Sequence, residues 1–293
     1  MQTGATSPTI PSFADYVSDR RYLRNVSPKT LSWFHDAWKA FGPHLEPILL
    51  NGGSVPDGVR AGIATLLAKG VKPVSINSYL TCVRAFLNWL YSEGHLAAKP
   101  RVQLLKYERK VISTFTPQQI QAMLTFKPYG LNATRTWTAA CLILDTGLRL
   151  SETLTLRKGD VDFDNLVLKV KGKGGKQRLV PISIQARKLL YRYASKQPHD
   201  LIFGTRTGSR VSNRNFLRDF KQMCSRLSLS GVRCSPHTLR HTFAASYLRN
   251  GGNLFYLSRI LGHTNIKTTE RYLQSIDVGD LQAVHDRFSL LTR

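Results

Sequence analysis

Two arginines and two histidines in short clusters are the first residues whose types and spacing suggest chemistry. Arg149 lies in Thr146-Gly147-Leu148-Arg149-Leu150-Ser151-Glu152, and Arg240 in His237-Thr238-Leu239-Arg240-His241. A guanidinium stays protonated and offers paired planar donors, so two of them can fork onto the non-bridging oxygens of a phosphate that gains charge as it becomes five-coordinate. His237 stands three residues before Arg240, on the same helix face, where an imidazole can donate to a phosphate oxygen and exchange protons with a nucleophile near neutral pH. Tyr272 lies nine residues beyond His263. Its phenol has an ordinary pKa near ~10 and attacks at neutrality only with cationic surroundings or a base. Lys171, Lys173 and Lys176 cluster at one turn and could protonate a leaving alkoxide.

Other signals are weaker. Gly172-Lys173-Gly174-Gly175-Lys176 lacks the glycine spacing and the following Ser or Thr of a nucleotide-binding loop. His237 and His241 are spaced to share a zinc ion with Cys234 or His263, but no Glu stands between them, and the apolar run after His241 favours a hydrogen-bonded, partly buried histidine. Cys82, Cys141, Cys224 and Cys234 form no C-x-x-C pair and read as reduced thiols.

The elements that must position these groups follow from periodicity and caps. Residues 1–12 read as a loose tail. Ser27-Pro28 opens a helix carrying Leu31, Phe34, Trp38 and Phe41. A second helix runs from about Pro56 to Lys69, and a third starts at Ser75 with Tyr79, Leu80, Val83, Phe86, Leu87 and Leu90. Together they predict a small helical bundle over 13–108, with a basic linker at about 97–113. Thr116-Pro117-Gln118-Gln119 is a capping box opening a second domain, 116–293. An apolar helix follows over Trp137–Leu144. Alternation at Leu166, Leu168 and Val170, a Gly-rich turn and Arg178–Ile182 predict a β-hairpin with Lys173 at its tip, and the pattern from Ile184 onward is helical. The predicted fold is two-domain and mainly α, with a small antiparallel sheet in the second domain. An apolar stripe of Leu281, Val284, Phe288 and Leu291 marks a helix over about 280–292 that could pack within the chain or on another copy.

Composition narrows the class. The 293 residues carry 42 Lys+Arg against 18 Asp+Glu, a net charge of +24, and residues 109–293 hold +19 of it. Such an excess attracts polyanions, and each cation that meets a nucleic-acid phosphate releases counterions. No apolar run suits a membrane span and no secretory signal is legible, so the expected setting is cytoplasmic and nucleoid-associated.

In this order and spacing, Arg149, Lys173, His237, Arg240, His263 and Tyr272 resemble the tyrosine recombinase (phage integrase) family, most like Xer-type or simple transposon and phage recombinases. Asn253-Leu254-Phe255 departs from the family's usual acidic residue there. The resemblance implies a core-type DNA-binding domain and a catalytic domain clamping duplex DNA. It implies Tyr272 as the nucleophile forming a 3′-phosphotyrosine, Lys173, in preference to its neighbours, as the acid for the 5′ oxygen, and His263 as a phosphate donor. Glu152 is expected to orient Arg149 or a neighbouring side chain. The family also implies action without cofactor, metal or ATP, and a tetramer on two DNA sites, built from this chain alone or with a second related recombinase. Three alternatives stand beside it: a type IB topoisomerase-like relaxing enzyme, a catalytically silent DNA-binding or accessory protein, and a metal-dependent nuclease.

Overall fold

A computed structural model describes residues 10–108, 112–172 and 175–288 of the chain. The chain divides into two units, Met1–Arg109 and Lys110–Arg293.

The first unit is a helical bundle. Helix α1 (Phe13–Tyr22) opens on a capping box in which the Ser12 hydroxyl accepts from the Asp15 amide while the Asp15 carboxylate accepts from the Ser12 amide. Helix α2 (Pro28–Asn51) extends the expected stripe through Pro43 and Pro47, because Leu45 and Leu49 continue its buried face. Helix α3 spans Val55–Ala68. Helix α4 (Pro73–Ser92) begins two residues before the expected Ser75, since Pro73 suits the first turn. Tyr16, Phe41 and Phe86 are fully buried between them. The segment read as a linker from residue 97 is partly fastened to this bundle. The Asn77 amide donates to the Leu105 carbonyl at 2.9 Å and accepts from its N–H at 2.8 Å, and Val102 is buried.

The second unit is mainly helical around a three-stranded antiparallel sheet. The capping box at Thr116 starts α5 (Pro117–Thr125). Helix α6 (Leu131–Thr146) crosses the core with Ala139, Ala140, Leu142 and Ile143 buried. A single turn, α7 (Leu150–Thr153), leads to the sheet β1 (Val161–Asp162), β2 (Val167–Lys171) and β3 (Gln177–Pro181), paired in that order. The register sets Val161 opposite Leu168, and Leu168 opposite Val180. The hairpin matches the sequence pattern, whereas β1 is too short to carry a periodicity of its own.

Helices α8 (Ile184–Ala194), α9 (Asn213–Arg226), α10 (Pro236–Arg249), α11 (Leu254–Leu261), α12 (Lys267–Glu270) and α13 (Val278–Phe288) complete the unit. The stretch between α8 and α9 is not helical as expected: it makes bridges Arg157–Leu201 and Gly204–Arg210. In α13, Leu281 is exposed while Val284 faces Gly251 at the end of α10. Leu291 lies outside the described residues. Among those described, no helix is long and apolar enough to cross a membrane.

Candidate active site

The C-terminus of α6 sets the first part of the site. Gly147 ends the helix with φ +64°, and a Cβ there would stand 2.4 Å from the Phe243 ring. Only glycine meets both demands. Its carbonyl, so aimed, accepts from Arg240 Nη1 at 2.6 Å.

Arg149 caps α7, and Glu152 within that turn is a buried hub. Its carboxylate accepts from the Arg149 amide at 2.8 Å and from Arg149 Nη1 at 3.0 Å. It also takes a two-pronged bond from Arg178, 2.9 Å on each oxygen. Burial pushes the Glu152 carboxyl upward, but the Arg178 and Arg149 donors outweigh it and hold the group below its ordinary value. Arg149 Nη2 reaches the Gly262 carbonyl at 3.3 Å, and Arg178 Nε donates to the Ile260 carbonyl at 2.8 Å. The expected Glu152–Arg149 contact is therefore present. Arg178 was not singled out in the sequence, although it shares the inward face of β3 with Val180, where a cation requires a buried partner.

Ser235 caps α10 and Pro236 occupies its first turn, so the helix presents His237, Arg240 and His241. Arg240 is buried, and among the described residues no carboxylate forms a salt bridge with it. Its Nη2 donates to the Leu261 carbonyl at 2.8 Å and to His263 Nε2 at 2.9 Å. Burial and the nearby Arg149 lower it to about 10, so it remains cationic at neutrality. An arginine has donors only, so His263 accepts at Nε2 and carries its proton on Nδ1, which meets Thr269 Oγ1 at 2.8 Å. Burial and Arg240 hold His263 down at about 4.

Tyr272 follows α12 and is buried among Ala244, Leu248, Leu257 and Leu261. Its hydroxyl lies 2.9 Å from His241 Nδ1. Burial raises the phenol's pKa, while Arg240 and Arg271 pull against it, and Arg271 also lies over the ring at 5.9 Å. His241 is lowered to about 4 by burial and then by Arg271. The His237 ring is 6.4 Å from that of His241, and burial followed by Arg240 lowers its pKa.

The structure thus brings Arg149, His237, Arg240, His263 and Tyr272 together, with Glu152 behind them; Lys173 lies outside the described residues. Arg149, Arg178, Arg240 and Arg271 all act on His263, and the carboxylate among them, Glu152, is spent on two of them. Such a shortage of negative charge makes the local potential positive, which favours anions over cations. The site opens onto a groove of about 840 Å³ whose lining includes Arg149, Lys176, Arg178, Arg259 and His263. Among the described residues, no three His, Cys, Asp or Glu side chains converge as metal ligands, and the zinc alternative for His237 and His241 gains no third partner.

The whole fold is similar to that of the Tn1549 transposon integrase, solved in complex with transposon right end DNA. The TM-score is 0.72 at 19% identity, over 94% of this chain and 99% of that one. The likeness is one of fold. The description "Phage integrase family" matches residues 113–277. Among curated proteins, the chain is 30% identical over 246 residues to tyrosine recombinase XerC of Syntrophus aciditrophicus (strain SB), covering 78% of each chain. It is 29% identical over 287 residues to XerC of Proteus mirabilis, covering 94% of this chain and 92% of that one. The chain belongs to the phage integrase family of tyrosine recombinases.

Proposed function

We propose that this recombinase cuts and rejoins DNA at specific sites through a 3′-phosphotyrosyl intermediate on Tyr272, needing neither metal nor ATP. The observation that carries the reading is the excess of buried guanidinium beside a buried phenol. Arg149 and Arg240 take the non-bridging oxygens of the scissile phosphate, supplying charge a metal would otherwise provide. His237 and His263 add donors to the same oxygens, and Lys173 protonates the leaving 5′ oxygen. Glu152 and Arg178 position Arg149. His263 Nε2 accepts from Arg240 in the free protein, so a phosphate that draws Arg240 away leaves the ring free to bind a proton and donate. Because the ester conserves the bond energy, the freed 5′ hydroxyl can reseal it. Exposed Leu281 on α13 fits docking on a second protomer, and the working assembly is a tetramer on two DNA sites.

The test is trapping on a nicked duplex made from the DNA flanking the gene, in EDTA, with wild type and Tyr272→Phe. A 3′-linked adduct that forms with wild type and is absent from Tyr272→Phe is expected. An adduct that persists in the variant, or one abolished by EDTA, overturns the assignment. Relaxation of supercoiled plasmid without exchange between two sites would favour the topoisomerase-like alternative.

A further inference from the structure

Two of the four cysteines meet at the entrance to α10. Cys224 is buried near the end of α9, and Cys234 is half-buried in the loop that joins the two helices. They come together because that loop doubles back. Ser228 and Gly231 turn the chain at φ +51° and +74°, and the Leu229 amide donates to the Cys224 carbonyl at 3.0 Å. From the other side, Gln119 Nε2 donates to the Ser230 carbonyl at 2.8 Å. Cys234 Sγ then lies 3.9 Å from the Val232 carbonyl and within hydrogen-bond reach of the Cys224 thiol, with both residues packed on the same core. The neighbouring backbone holds the catalytic helix. Ser235 Oγ accepts from the Thr238 amide at 3.2 Å, and the Thr238 hydroxyl donates to the Arg233 carbonyl at 2.5 Å. Residues on both sides of Cys234 thus fix the first turn of α10, which carries His237 and leads into Arg240.

We propose that Cys224 and Cys234 form a reversible disulfide when a hydroperoxide is present, and that closing it slows strand cleavage by displacing the start of α10. The effect on cleavage rests on the phosphotyrosyl reading above; formation of the bond does not. Cys234, the half-buried thiol, is the one an oxidant reaches. Burial, and then the contact with Cys234, hold the Cys224 thiol above its ordinary value, so Cys224 stays protonated and acts second. The Cys234 sulfur, as thiolate, attacks a peroxide oxygen; the O–O bond breaks, giving a sulfenic acid and water. The Cys224 sulfur then attacks the Cys234 sulfur, the S–O bond breaks, and the departing hydroxyl leaves as water with the Cys224 proton. Two thiols and one hydrogen peroxide give one disulfide and two waters, with two electrons passing from sulfur to oxygen. A dithiol reductant reverses the step by exchange.

The consequence for the site follows from bond length. A disulfide is ~2.05 Å long, shorter than the hydrogen-bonded separation of two thiols. Cys224 is locked in the core beside Phe220 and Met223, so the loop carrying Cys234 has to move toward α9. That motion draws the Arg233 carbonyl and the Ser235 hydroxyl away from Thr238 and shifts His237 and Arg240 with the turn. A displacement of about 1 Å at a catalytic group can cost ~10²-fold in rate. Reduction restores the cap, so the device is reversible. Cys82 in the first unit and Cys141 on α6 are buried, and burial holds both thiols at about 12, which leaves them unreactive beside Cys234.

The test uses the full chain treated with hydrogen peroxide. Thiol titration after unfolding should fall from four groups to two, and a non-reduced digest should join the Cys224 and Cys234 peptides. Adduct formation on the nicked duplex should slow about 10-fold or more and return to the untreated rate on adding dithiothreitol. Cys234→Ala, which removes the half-buried partner, should form no linkage and cut equally fast before and after peroxide; Cys224→Ala gives the same comparison from the buried side. Four thiols remaining after peroxide, a linked protein that cuts at the reduced rate, or slowing that persists in both variants overturns the proposal. Absence of an adduct from the reduced wild type overturns the phosphotyrosyl reading instead, and the digest then still decides whether the two sulfurs bond.

Discussion

Glu152→Gln is the perturbation whose consequence can be worked furthest. The carboxylate has a side chain 5% exposed and neutralises Arg178, itself 14% exposed, through two bonds, with Arg149 as a third cationic contact. Removing one member of a buried pair strands the other, at a typical cost of ~3–5 kcal/mol. The glutamine keeps one acceptor, and Arg149 is partly solvated, so the lower end, about 3 kcal/mol, is expected. For a unit of this size that corresponds to a melting temperature lower by roughly 6–12 °C. The cause is the stranded charge, so Glu152→Gln combined with Arg178→Met should recover about 2 kcal/mol, leaving mainly the lost bond to the Ile260 carbonyl. Calorimetry of the two single variants and the double variant gives the coupling directly. The pH dependence supplies a second check. Glu152 is held below its unfolded value, so its contribution is complete above a carboxylate pKa of ~4.3 and is lost as pH falls through the folded value. The gap between wild type and Glu152→Gln should therefore close in acid. Additivity within about 0.5 kcal/mol, or a gap independent of pH, would refute the hub.

Gly147→Ala forces a side chain into Phe243 at positive φ, so a loss of about 2 kcal/mol or more by urea unfolding is expected, together with slower adduct formation as the Arg240 acceptor moves. His241 and His263 are both held near 4, below the ordinary histidine value of ~6.5. The unfolded chain then binds more protons between those limits, so stability should fall as pH drops from about 6.5 toward 4, less steeply in His263→Gln. Arg259→Gln removes a cation from the groove wall, and duplex affinity should drop with the salt slope reduced by about 1, while an unchanged slope would place Arg259 off the DNA.

What the sequence showed depended on how local each signal was. Caps and short repeats, as at Thr116-Gln119 and Ser235-Pro236, are written in neighbouring residues, and the helices they open are where the pattern put them. The α1 helix escaped notice although Ser12 and Asp15 form a capping box, because a helix of 10 residues with three buried positions gives little periodicity. The two residues of β1 become a strand through pairing with β2, a long-range fact. The order of Arg149, His237, Arg240, His263 and Tyr272 was legible because the types are rare together. Arg178 became meaningful once Glu152 was seen to be buried, and the bond between His241 and Tyr272 spans 31 residues.

The stretch from Gly262 to Tyr272 behaves as a ruler. At one end the Gly262 carbonyl is held by Arg149, and a Cβ at that residue would press on Arg178 at 3.0 Å. In the middle Thr269 meets the His263 ring, and at the far end Tyr272 meets His241. One residue inserted or deleted between His263 and Thr269 would disturb the last two together, and one between Thr269 and Tyr272 would disturb the last. Length variation among descendants of this sequence should therefore be absent between residues 262 and 272. A population of selected insertion variants, sequenced deeply, would map this fixed interval as a gap.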